Sequence, residues 1–359
     1  MEVRQYQAIV EWSKKQITDE QLKPGDKFFT EHELMVIFGV SRHTVRNALG
    51  QLEYENILER RRGSGSYVSA AAGHHNRPAK SMMIGVISTY IDGYIFSNTL
   101  RGIEDTLKQH GYSMLLSSSS NKASQEYRAI SSMMDKGVDG LIIEPAKNFL
   151  FNPYKDAYLE LQKQRIPIVF IDAYHRDMPF PHISLNDNAA GRLAAEHLMK
   201  AGHRRIAGLF MSDILQGHRR FEGYTAALCG AGLEYSEQNI IWYTEEDVPV
   251  ITADAARLID RIGDCTGLVC FNDLHAVNVV KTLSESGIRI PEDLSVVSVD
   301  NSDLAEHCKV PLTSVVHPKE ELGAAAADHI VRLIKDPRFD ASFEFEPRLV
   351  ERQSVMRLV

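Results

Sequence analysis

Short apolar runs alternate with amphipathic segments between residues 82 and 318. The runs that have the character of β-strands are MMIGVIS (82–88), YSMLLSS (112–118), GLIIEP (140–145), IPIVFID (166–172), RIAGLF (205–210), GLVCFND (267–273), SVVSVDN (295–301) and TSVVHP (313–318). Continuous apolar strands with helices between them predict parallel sheets that are covered on both faces. Because about 280 residues is long for one such sheet, we expect two lobes.

Helical periodicity fills the intervals between these runs and continues beyond them. Apolar residues recur at helical spacing over 100–110, 125–136, 154–164, 189–201, 217–229, 251–262, 274–286 and 322–334. The alternation of strands and helices indicates an α/β body made of Rossmann-like lobes.

The first 69 residues follow a different pattern. Helical spacing of apolar residues predicts helices over 3–18, 31–38 and 42–54, and strands over 57–60 and 66–69 flank the basic tip RRGSG. Gly39 permits the left-handed turn that ends the second helix, and Ser41 stands where an N-cap is expected. The order of these elements predicts a small winged helix-turn-helix domain.

The third helix and the hairpin carry polar residues suited to DNA. Arg42, His43, Thr44 and Arg46 lie near the start of the third helix, mostly on its outer side, and fit phosphate and base-edge contacts in a major groove. In the hairpin, glycines permit a close approach to a nucleic-acid backbone and arginines attract phosphate.

Residues 70–81, AAAGHHNRPAKS, have no hydrophobic periodicity and contain a glycine and a proline. This composition predicts a linker, which gives domains over 1–69 and 82–359. The adjacent His74 and His75 are a weak indication of a metal site, because two histidines without a third ligand are usually solvated.

Polar side chains follow several strands of the predicted body. Because carboxyl ends of parallel strands line the ligand crevice of open α/β sheets, we expect Asp172, Asn272 and Asp300 near one pocket. With Arg220 and the aromatics Tyr90, Tyr94 and Phe96, they supply the groups that hold a sugar. The alternative is that each strand-end Asp or Asn merely caps the helix that follows it.

The segment from about residue 6 to 68, with FGVSRHTVRNAL and RRRGSGSYV, closely resembles the DNA-binding head of the GntR family of bacterial repressors. The resemblance implies a homodimer on double-stranded operator DNA, with the helix from Arg42 in the major groove and the hairpin at the minor groove. One departure is Phe29-Thr30-Glu31 where the family usually has Pro-Ser-Glu. From the residues and the resemblance together, the expected DNA-binding positions are Glu31, Ser41, Arg42, His43, Thr44, Arg46, Arg61, Arg62, Gly63, Ser64 and Gly65.

The segment from about residue 82 to 359 resembles the effector domain of the LacI/GalR repressors through HLMKAGHRRIAGL, RRFEGY, VCFNDLHAVNVVKTL and IPEDLSVVSVDNSDLA. That resemblance implies the periplasmic-binding-protein type I fold. The combination of this body with a GntR-like head, together with TYIDGYIF, IEPAK and LTSVVHPK, resembles the arabinose repressors of Gram-positive bacteria. It implies L-arabinose as effector and no cofactor. The expected effector-binding residues are Ser88, Tyr90, Tyr94, Phe96, Glu144, Lys147, Asp172, Arg220, Asn272, Asp300 and His317, of which Glu144 and Lys147 rest on the strand-end argument and the IEPAK likeness.

Charge and composition narrow the function classes. The net charge is −8, and residues 1–75 contain ten of the 40 Lys+Arg and ten of the 48 Asp+Glu, so the body carries the whole acidic excess. This argues against a general polyanion binder. The chain has no 18-residue apolar run and no apolar signal-peptide core, so we expect a cytoplasmic protein. Its four cysteines lack Cys-x-x-Cys spacing and are expected to be free thiols rather than zinc ligands.

Together these features predict a sugar-responsive transcriptional repressor, to which an enzyme, a sugar-binding protein and an activator are the alternatives. No Gly-x-Ser-x-Gly elbow, phosphate loop or HExxH motif is present, although Glu144 with Asp172 has the residue types of a glycosidase pair. A transport-associated sugar-binding protein would need an export signal. A transcriptional activator is not separated from a repressor by sequence, and the operator sequence and target genes stay open.

Overall fold

The computed structural model describes residues 2–18, 22–23, 25–54, 57–61, 64–69, 81–91 and 93–358. They belong to two compact units, Met1–Ser81 and Met82–Val359, called here the head and the body. Residues 70–80 of the predicted linker lie outside the described residues, so the exact domain boundaries stay a prediction. Among the described residues, no helix is long and apolar enough to cross a membrane.

The head has the predicted elements in the predicted order. Its helices are α1 (Glu2–Thr18), α2 (Glu31–Phe38) and α3 (Arg42–Tyr54), and its strands are β1 (Leu58–Arg61) and β2 (Gly65–Val68). The strands pair antiparallel, with Leu58 opposite Val68. Helical periodicity places Leu34, Val45 and Leu52 in one buried core with these two residues, which confirms the predicted winged helix.

Local capping fixes both ends of α2. The Thr30 hydroxyl accepts a hydrogen bond from Glu33 N, and the Glu33 carboxylate accepts one from Thr30 N, which is a capping box. Threonine thus caps α2 although the proline usual in the resembled family is missing. At the other end Gly39 has φ 62°, the left-handed conformation predicted for it. The predicted N-cap of α3 is also present, because Thr44 N donates to Ser41 Oγ at 3.2 Å.

The first lobe of the body is a six-stranded parallel sheet in the order β13-β7-β6-β5-β3-β4. Its strands are β3 (Met83–Ser88), β4 (Ser113–Ser118), β5 (Gly140–Ile143), β6 (Ile168–Ile171), β7 (His182–Leu185) and β13 (Phe343–Phe345). Its helices are α4 (Phe96–Gln109), α5 (Ala123–Asp135), α6 (Lys155–Lys163) and α13 (Lys319–Lys335). Two apolar cores cover the two faces of this sheet, as predicted for a parallel sheet.

The second lobe repeats this plan with the strand order β14-β12-β11-β10-β8-β9. Its strands are β8 (Ile206–Met211), β9 (Ile240–Tyr243), β10 (Gly267–Cys270), β11 (Ser295–Asp300), β12 (Thr313–Val316) and β14 (Leu349–Val350), the last pairing antiparallel. Its helices are α7 (Asp187–Lys200), α8 (Leu215–Gly230), α9 (Val248–Ile251), α10 (Ala255–Ile262), α11 (Asp273–Glu285) and α12 (Asp303–His307).

The chain crosses between the lobes at three points. It leaves the first lobe after β7, returns after β12 to form α13, and crosses again between β13 and β14. The two lobes and their Rossmann-like sheets confirm the predicted α/β fold class. Because the crossings connect strand ends, the carboxyl edges of both sheets face the same cleft.

Some elements differ from the prediction. Strands β7, β9, β13 and β14 were not expected, because they are only two to four residues long, which is too short for an apolar run or an alternation to indicate a strand. The single helix predicted over 251–262 is two helices, α9 and α10, and Asp254 caps the second by accepting from Arg257 N at 3.0 Å. This cap restarts the helix and explains the break.

Helices α7 and α8 pack closely through two glycines. A methyl group on Gly191 would lie 1.9 Å from the carbonyl oxygen of Arg220, and one on Gly223 would lie 1.8 Å from that of Asn188. Such distances are far below van der Waals contact, so each helix needs glycine where it meets the backbone of the other. The crossing fixes the part of α8 that carries Arg220.

We therefore expect Gly223→Ala to destabilise the body by about 1–3 kcal/mol or more, because the backbones must separate to admit the methyl group. Gly230→Ala is the matched control, since it lies in the same helix with no atom within 4 Å of the added methyl group. It should be neutral or stabilising by up to about 1 kcal/mol. Urea unfolding of both variants measures the difference. Equal stabilities would contradict the close packing.

Candidate functional site

The exposed face of α3 presents two arginines that one carboxylate holds. Glu31 accepts hydrogen bonds from Arg42 Nε at 2.7 Å and from Arg46 Nε at 3.0 Å. The bond from Arg42, followed by that from Arg46, lowers the pKa of the Glu31 carboxyl. The arginine side chains are 65% and 57% exposed, and their terminal amino groups have no hydrogen-bond partner among the described residues. Glu31 thus orients two free guanidinium edges outward.

The other predicted residues of α3 divide between its two faces. His43 is exposed and its Nδ1 lies 3.4 Å from Asn47 Nδ2. Thr44 is buried, with its hydroxyl 2.9 Å from Ser41 Oγ. Its predicted place on the outer side is therefore wrong, because the cap at the start of α3 draws its side chain inward.

The hairpin places three predicted residues at its tip. Arg61 Nε donates to Glu59 at 2.8 Å, and its guanidinium carbon lies 4.3 Å from the centre of the Tyr67 ring. Ser64 Oγ is 2.6 Å from the Tyr67 hydroxyl, and Gly65 has φ +107°. Two further predicted positions, Arg62 and Gly63, lie outside the described residues.

A groove of about 540 Å³ separates α3 from the hairpin. It is lined by Lys27, Phe28, Phe29, Thr30, Glu31, Arg46, Leu49, Gly50, Glu53, Arg60, Ser64, Gly65 and Ser66. The groove brings Arg46 together with the hairpin tip, as the winged-helix interpretation requires. Lys27 and Arg60 were not among the predicted DNA-binding residues. Lys27 forms an isolated bridge with Tyr67, a contact that nothing in the sequence around it signals.

The body contains a cavity of about 470 Å³ between its lobes, at the carboxyl ends of both sheets. This volume is in the range of small-molecule sites. Nine of the eleven predicted effector-binding residues line it: Tyr90, Tyr94, Phe96, Glu144, Asp172, Arg220, Asn272, Asp300 and His317. Asn272 also caps α11, because its Oδ1 accepts from His275 N at 3.0 Å. Asn272 therefore caps the helix that follows it and also lines the cavity.

Arg220 is fully buried among acceptors on one wall of the cavity. Its Nε donates to Asp187 at 2.7 Å and its Nη1 donates to the carbonyl of Phe271 at 2.6 Å, while Asp300 lies 3.9 Å from Nη2. Burial acts to lower the pKa of Arg220, but the carboxylates of Asp187 and Asp300 outweigh it and raise that pKa. Asp300 also accepts a hydrogen bond from Tyr94, which belongs to the first lobe.

The opposite wall carries Glu144, Asp172 and His317. Glu144 accepts hydrogen bonds from Ser88 Oγ and Thr89 N, both at 2.8 Å, and His317 Nε2 lies 2.7 Å from an oxygen of Asp172. Burial, and then the charge of Asp172, raise the pKa of Glu144 to about 7. The Nδ1 atom of His317 is buried with no partner among the described residues, so it remains available to a ligand.

Two predicted positions do not line the cavity. Ser88 lies beneath it, where its hydroxyl supports Glu144 and bonds the carbonyl of Tyr90 at 2.7 Å. The predicted place of Lys147 in the effector site is wrong, because its ammonium group lies in an ion cluster with Asp213 and Glu246 instead. Asn301 lines no part of it either: its side chain accepts from Arg352 at 2.8 Å.

Backbone strain is concentrated around this cleft. Tyr94, Lys147, Asp172 and Asp300 have φ values of 43°, 45°, 65° and 110°, in a region that L-residues rarely adopt. Such conformations persist only where surrounding contacts hold them, and they cluster at functional sites. All four positions were predicted as effector-binding residues.

Sequence reasoning missed Asp187, Gln216 and Asn121, which also line the cavity. Asp187 follows β7, and because that short strand was not predicted, the polar residues at its end carried no strand-end signal. Burial raises the pKa of Asp187 to about 6 in spite of its ion pair with Arg220. No group of three or more potential metal ligands is found in the described part of the chain.

Both the head and the body are similar to known protein families. Residues 5–68 match bacterial regulatory proteins of the gntR family, and residues 195–355 match a periplasmic binding protein-like domain. The arabinose metabolism transcriptional repressor of Halalkalibacterium halodurans is 36% identical over 359 residues, covering 97% of this chain and 96% of that protein. Its counterpart in Geobacillus stearothermophilus is 35% identical, covering 98% of this chain and 96% of that protein.

A solved structure extends this similarity to the fold. The transcription regulator CcpA of Lactococcus lactis matches with a TM-score of 0.68 and 25% sequence identity. The match covers 76% of this chain and 98% of that chain. The two-lobed body is therefore an arrangement that other transcription regulators share.

The raised pKa of Glu144 predicts a pH-dependent stability. A carboxyl with a pKa of 4.5 when unfolded and about 7 when folded stabilises fully below pH 4.5, and this stability is lost as the pH rises through 7. Glu144→Gln keeps an acceptor for Thr89 but cannot ionise. The free energy of unfolding of Glu144→Gln, relative to that of the parent, should therefore rise by about 2–3 kcal/mol between pH 4.5 and pH 8. Chemical unfolding at several pH values measures this gain, and a constant difference would contradict the burial of an ionisable group here.

Proposed function

This chain belongs to the family of arabinose metabolism transcriptional repressors, and we propose that L-arabinose is the effector that its body binds. The chain is a sugar-responsive repressor that acts on operator DNA. The observation that carries the proposal is the cavity at the strand ends of both lobes, where Arg220 and four carboxyl groups are buried together.

The charge balance of the cavity favours a neutral polyol. Four buried carboxyl groups, those of Glu144, Asp172, Asp187 and Asp300, face a single arginine and two histidines, His275 and His317, among the lining residues that the structure describes. Burial lowers the pKa of His275 to about 4, so this histidine adds no positive charge near neutral pH. Sugar hydroxyls donate hydrogen bonds to carboxylates, whereas a phosphate ester would add negative charge to an acidic site. A sugar without phosphate groups is therefore the ligand class that this cavity accepts best.

Each lobe contributes its own contacts in the proposed complex. Arg220 and Asn272 bind hydroxyls from the second lobe, Asp172 and Glu144 bind from the first, and His317 offers its free Nδ1. The ring of Tyr90 or Phe96, whose centres are 5.5 Å apart, covers the C–H face of the sugar. Because both lobes bind one molecule, the sugar favours a closed body.

The head supplies the proposed contact with DNA. We infer that α3 enters the major groove with Arg42 and Arg46 outward, while the hairpin tip approaches the minor groove. A homodimer would place two heads on the halves of a palindromic operator. Sugar binding would then release the DNA, provided that the sugar prefers the conformation with lower operator affinity. Such a protein works in the cytoplasm, where the operator lies.

We propose a binding function without catalysis. The pair that sequence reasoning considered for glycoside hydrolysis is Glu144 with Asp172, and each carboxyl group already has a partner in Ser88, Thr89 or His317. The relatives over the whole chain are transcriptional repressors. Activity assays with aryl arabinosides test this, and turnover by the purified protein would refute it.

Arg220→Lys tests the effector site. Lysine keeps the positive charge beside Asp187 but lacks the planar guanidinium group with its several N–H donors. We therefore expect the affinity for L-arabinose to fall at least about tenfold, while the affinity for the operator is retained. The neighbouring Arg219→Lys is the control, because Arg219 contacts Glu222 and Tyr174 and does not line the cavity. Calorimetry and gel shifts measure the two affinities. If no sugar binds the parent protein at millimolar concentration, the effector class is wrong.

Arg46→Ala tests the head. We expect operator affinity to fall by about 1–3 kcal/mol with no loss of stability, since the side chain is exposed. Lys15→Ala removes an equal charge from an exposed position on α1 and should cost less than about 0.5 kcal/mol. Gel shifts at fixed salt compare the variants. Equal operator affinity for Arg46→Ala and the parent would contradict the assignment of α3 as the recognition helix.

A further inference from the structure

Three consecutive residues of the first lobe, 147–149, each contact the second lobe beside the cavity. They follow β5 and lie opposite the start of α8 and the end of β9. Lys147 and Phe149 do not line the effector cavity, although Asn148 does. Their contacts with the second lobe are ionic, hydrogen-bonded and aromatic in turn.

Lys147 makes the ionic contact. Its Nζ donates to Asp213 and, at 3.0 Å, to Glu246, and it lies 3.7 Å from Glu245. Burial acts to lower the pKa of Lys147, but the hydrogen bonds with Asp213 and Glu246 outweigh it and raise that pKa. The Asp213 side chain is only 2% exposed and its second oxygen has no partner among the described residues. Lys147 thus places one positive charge among three carboxyl groups of the other lobe.

Asn148 makes the hydrogen-bonded contact. Its Oδ1 accepts from the backbone N–H of Leu215, the first residue of α8, at 2.6 Å. The N-cap residue of α8, Ile214, provides no side-chain acceptor, so Asn148 caps this helix from the opposite lobe. Its Nδ2 donates to the carbonyl of Pro145 at 3.0 Å, which fixes the orientation of the amide.

Phe149 makes the aromatic contact. Its ring stacks on the imidazole of His218 with centres 3.5 Å apart and planes inclined by 18°. His218 stacks in turn on Trp242, with centres 5.0 Å apart. The His218 imidazole is held by a hydrogen bond to the carbonyl of Ser212 at 2.9 Å. This surface of the second lobe is therefore arranged without help from the sugar.

We propose that residues 147–149 form a clasp that holds the two lobes together independently of the sugar and sets the fraction of repressor in the effector-binding conformation. The proposal rests on the proposed function only in taking the closed body as the form that binds sugar. When the lobes separate, the clasp leaves three neighbouring carboxylates without their cation and α8 without its cap. Both changes oppose opening.

The clasp affects affinity through the closed population alone. Apparent affinity falls in proportion to the fraction of protein that is competent to bind, whatever the ligand. Loss of the clasp should therefore weaken every sugar by the same factor. Loss of a direct sugar contact weakens different sugars unequally, because they place their hydroxyls differently.

The binding experiment uses Lys147→Met and Phe149→Ala in the full chain. We expect each to weaken L-arabinose, and the next-best sugar that binds the parent, by one common factor of about 3–20. Lys155→Met is the control for the first, because it breaks an ion pair with Asp177 inside one lobe. Phe151→Ala is the control for the second, since that ring is 90% exposed in the same loop. Unchanged affinities, or factors that differ between the two sugars, would overturn the clasp.

A distance measurement tests the clasp without any sugar. Spin labels are placed on the exposed native Cys229 in the second lobe and on a cysteine introduced by Lys163→Cys in the first, with Cys308→Ser to prevent a third label. We expect the sugar-free parent to show a population at the short interlobe distance beside one at a longer distance. The Lys147→Met and Phe149→Ala variants should show a longer and broader distribution, which saturating L-arabinose shortens. Identical sugar-free distributions in parent and variants would overturn the clasp.

The two experiments separate the clasp from the proposed effector. If the parent binds no sugar, the proposed effector class fails, and the sugar-free distances still decide whether the clasp exists. If the distances lengthen and the parent binds L-arabinose, both proposals are supported.

Discussion

A buried guanidinium needs acceptors around it, and the body is built around meeting that need at Arg220. Asp187, the carbonyl of Phe271 and Asp300 surround it, and each comes from a different strand end or crossing of the chain. Removing one partner from such a cluster costs several kcal/mol, because the remaining charge stays in a poorly polarisable site. The glycine contacts between α7 and α8 bring Asp187 and Arg220 within reach, so helix packing and site electrostatics depend on each other.

The same chemistry serves a different purpose in the head. Glu31 orients Arg42 and Arg46 as Asp187 orients Arg220, but the head pair is exposed while the body pair is enclosed. In water the arrangement contributes little stability, so its value lies in placing two guanidinium groups for a ligand. The buried Asp187–Arg220 pair in the cleft also affects the stability of the body. In the proposed function, the same kind of carboxylate–arginine pair serves DNA recognition in the head and sugar binding in the body.

Much of this architecture could be predicted from sequence, because its signals are local. Apolar runs marked the longer strands, and strand-end residues such as Asp172 and Asp300 marked the cavity. Short strands were not predicted, because a segment such as β7, HISL, has only four residues and is too short to indicate a strand. Asp187, which follows β7, was missed with it. Local sequence patterns also do not predict the direction in which a side chain points. Lys147 follows a strand end as the others do, yet its left-handed backbone and the acidic residues of the other lobe draw it away from the cavity.

Resemblance to known families predicts whole domains, whereas the contacts of single residues depend on the local structure. The motif FGVSRHTVRNAL identified the head, but the burial of Thr44 depends on a cap that involves its own backbone. Helix capping and a place at the cavity are not exclusive for Asn272, because its amide oxygen accepts the capping hydrogen bond while the residue also lines the cavity.

The three chain crossings have a consequence for how the protein is made on the ribosome. The head is encoded by a continuous segment and contains its own core, so it can fold as soon as it has emerged. Neither lobe can be completed in this way, because the first sheet receives β13 and the second receives β14 only from residues 343–350. A nascent chain therefore acquires its DNA-binding surface long before its sensor, and the two sheets of the sensor are finished almost simultaneously.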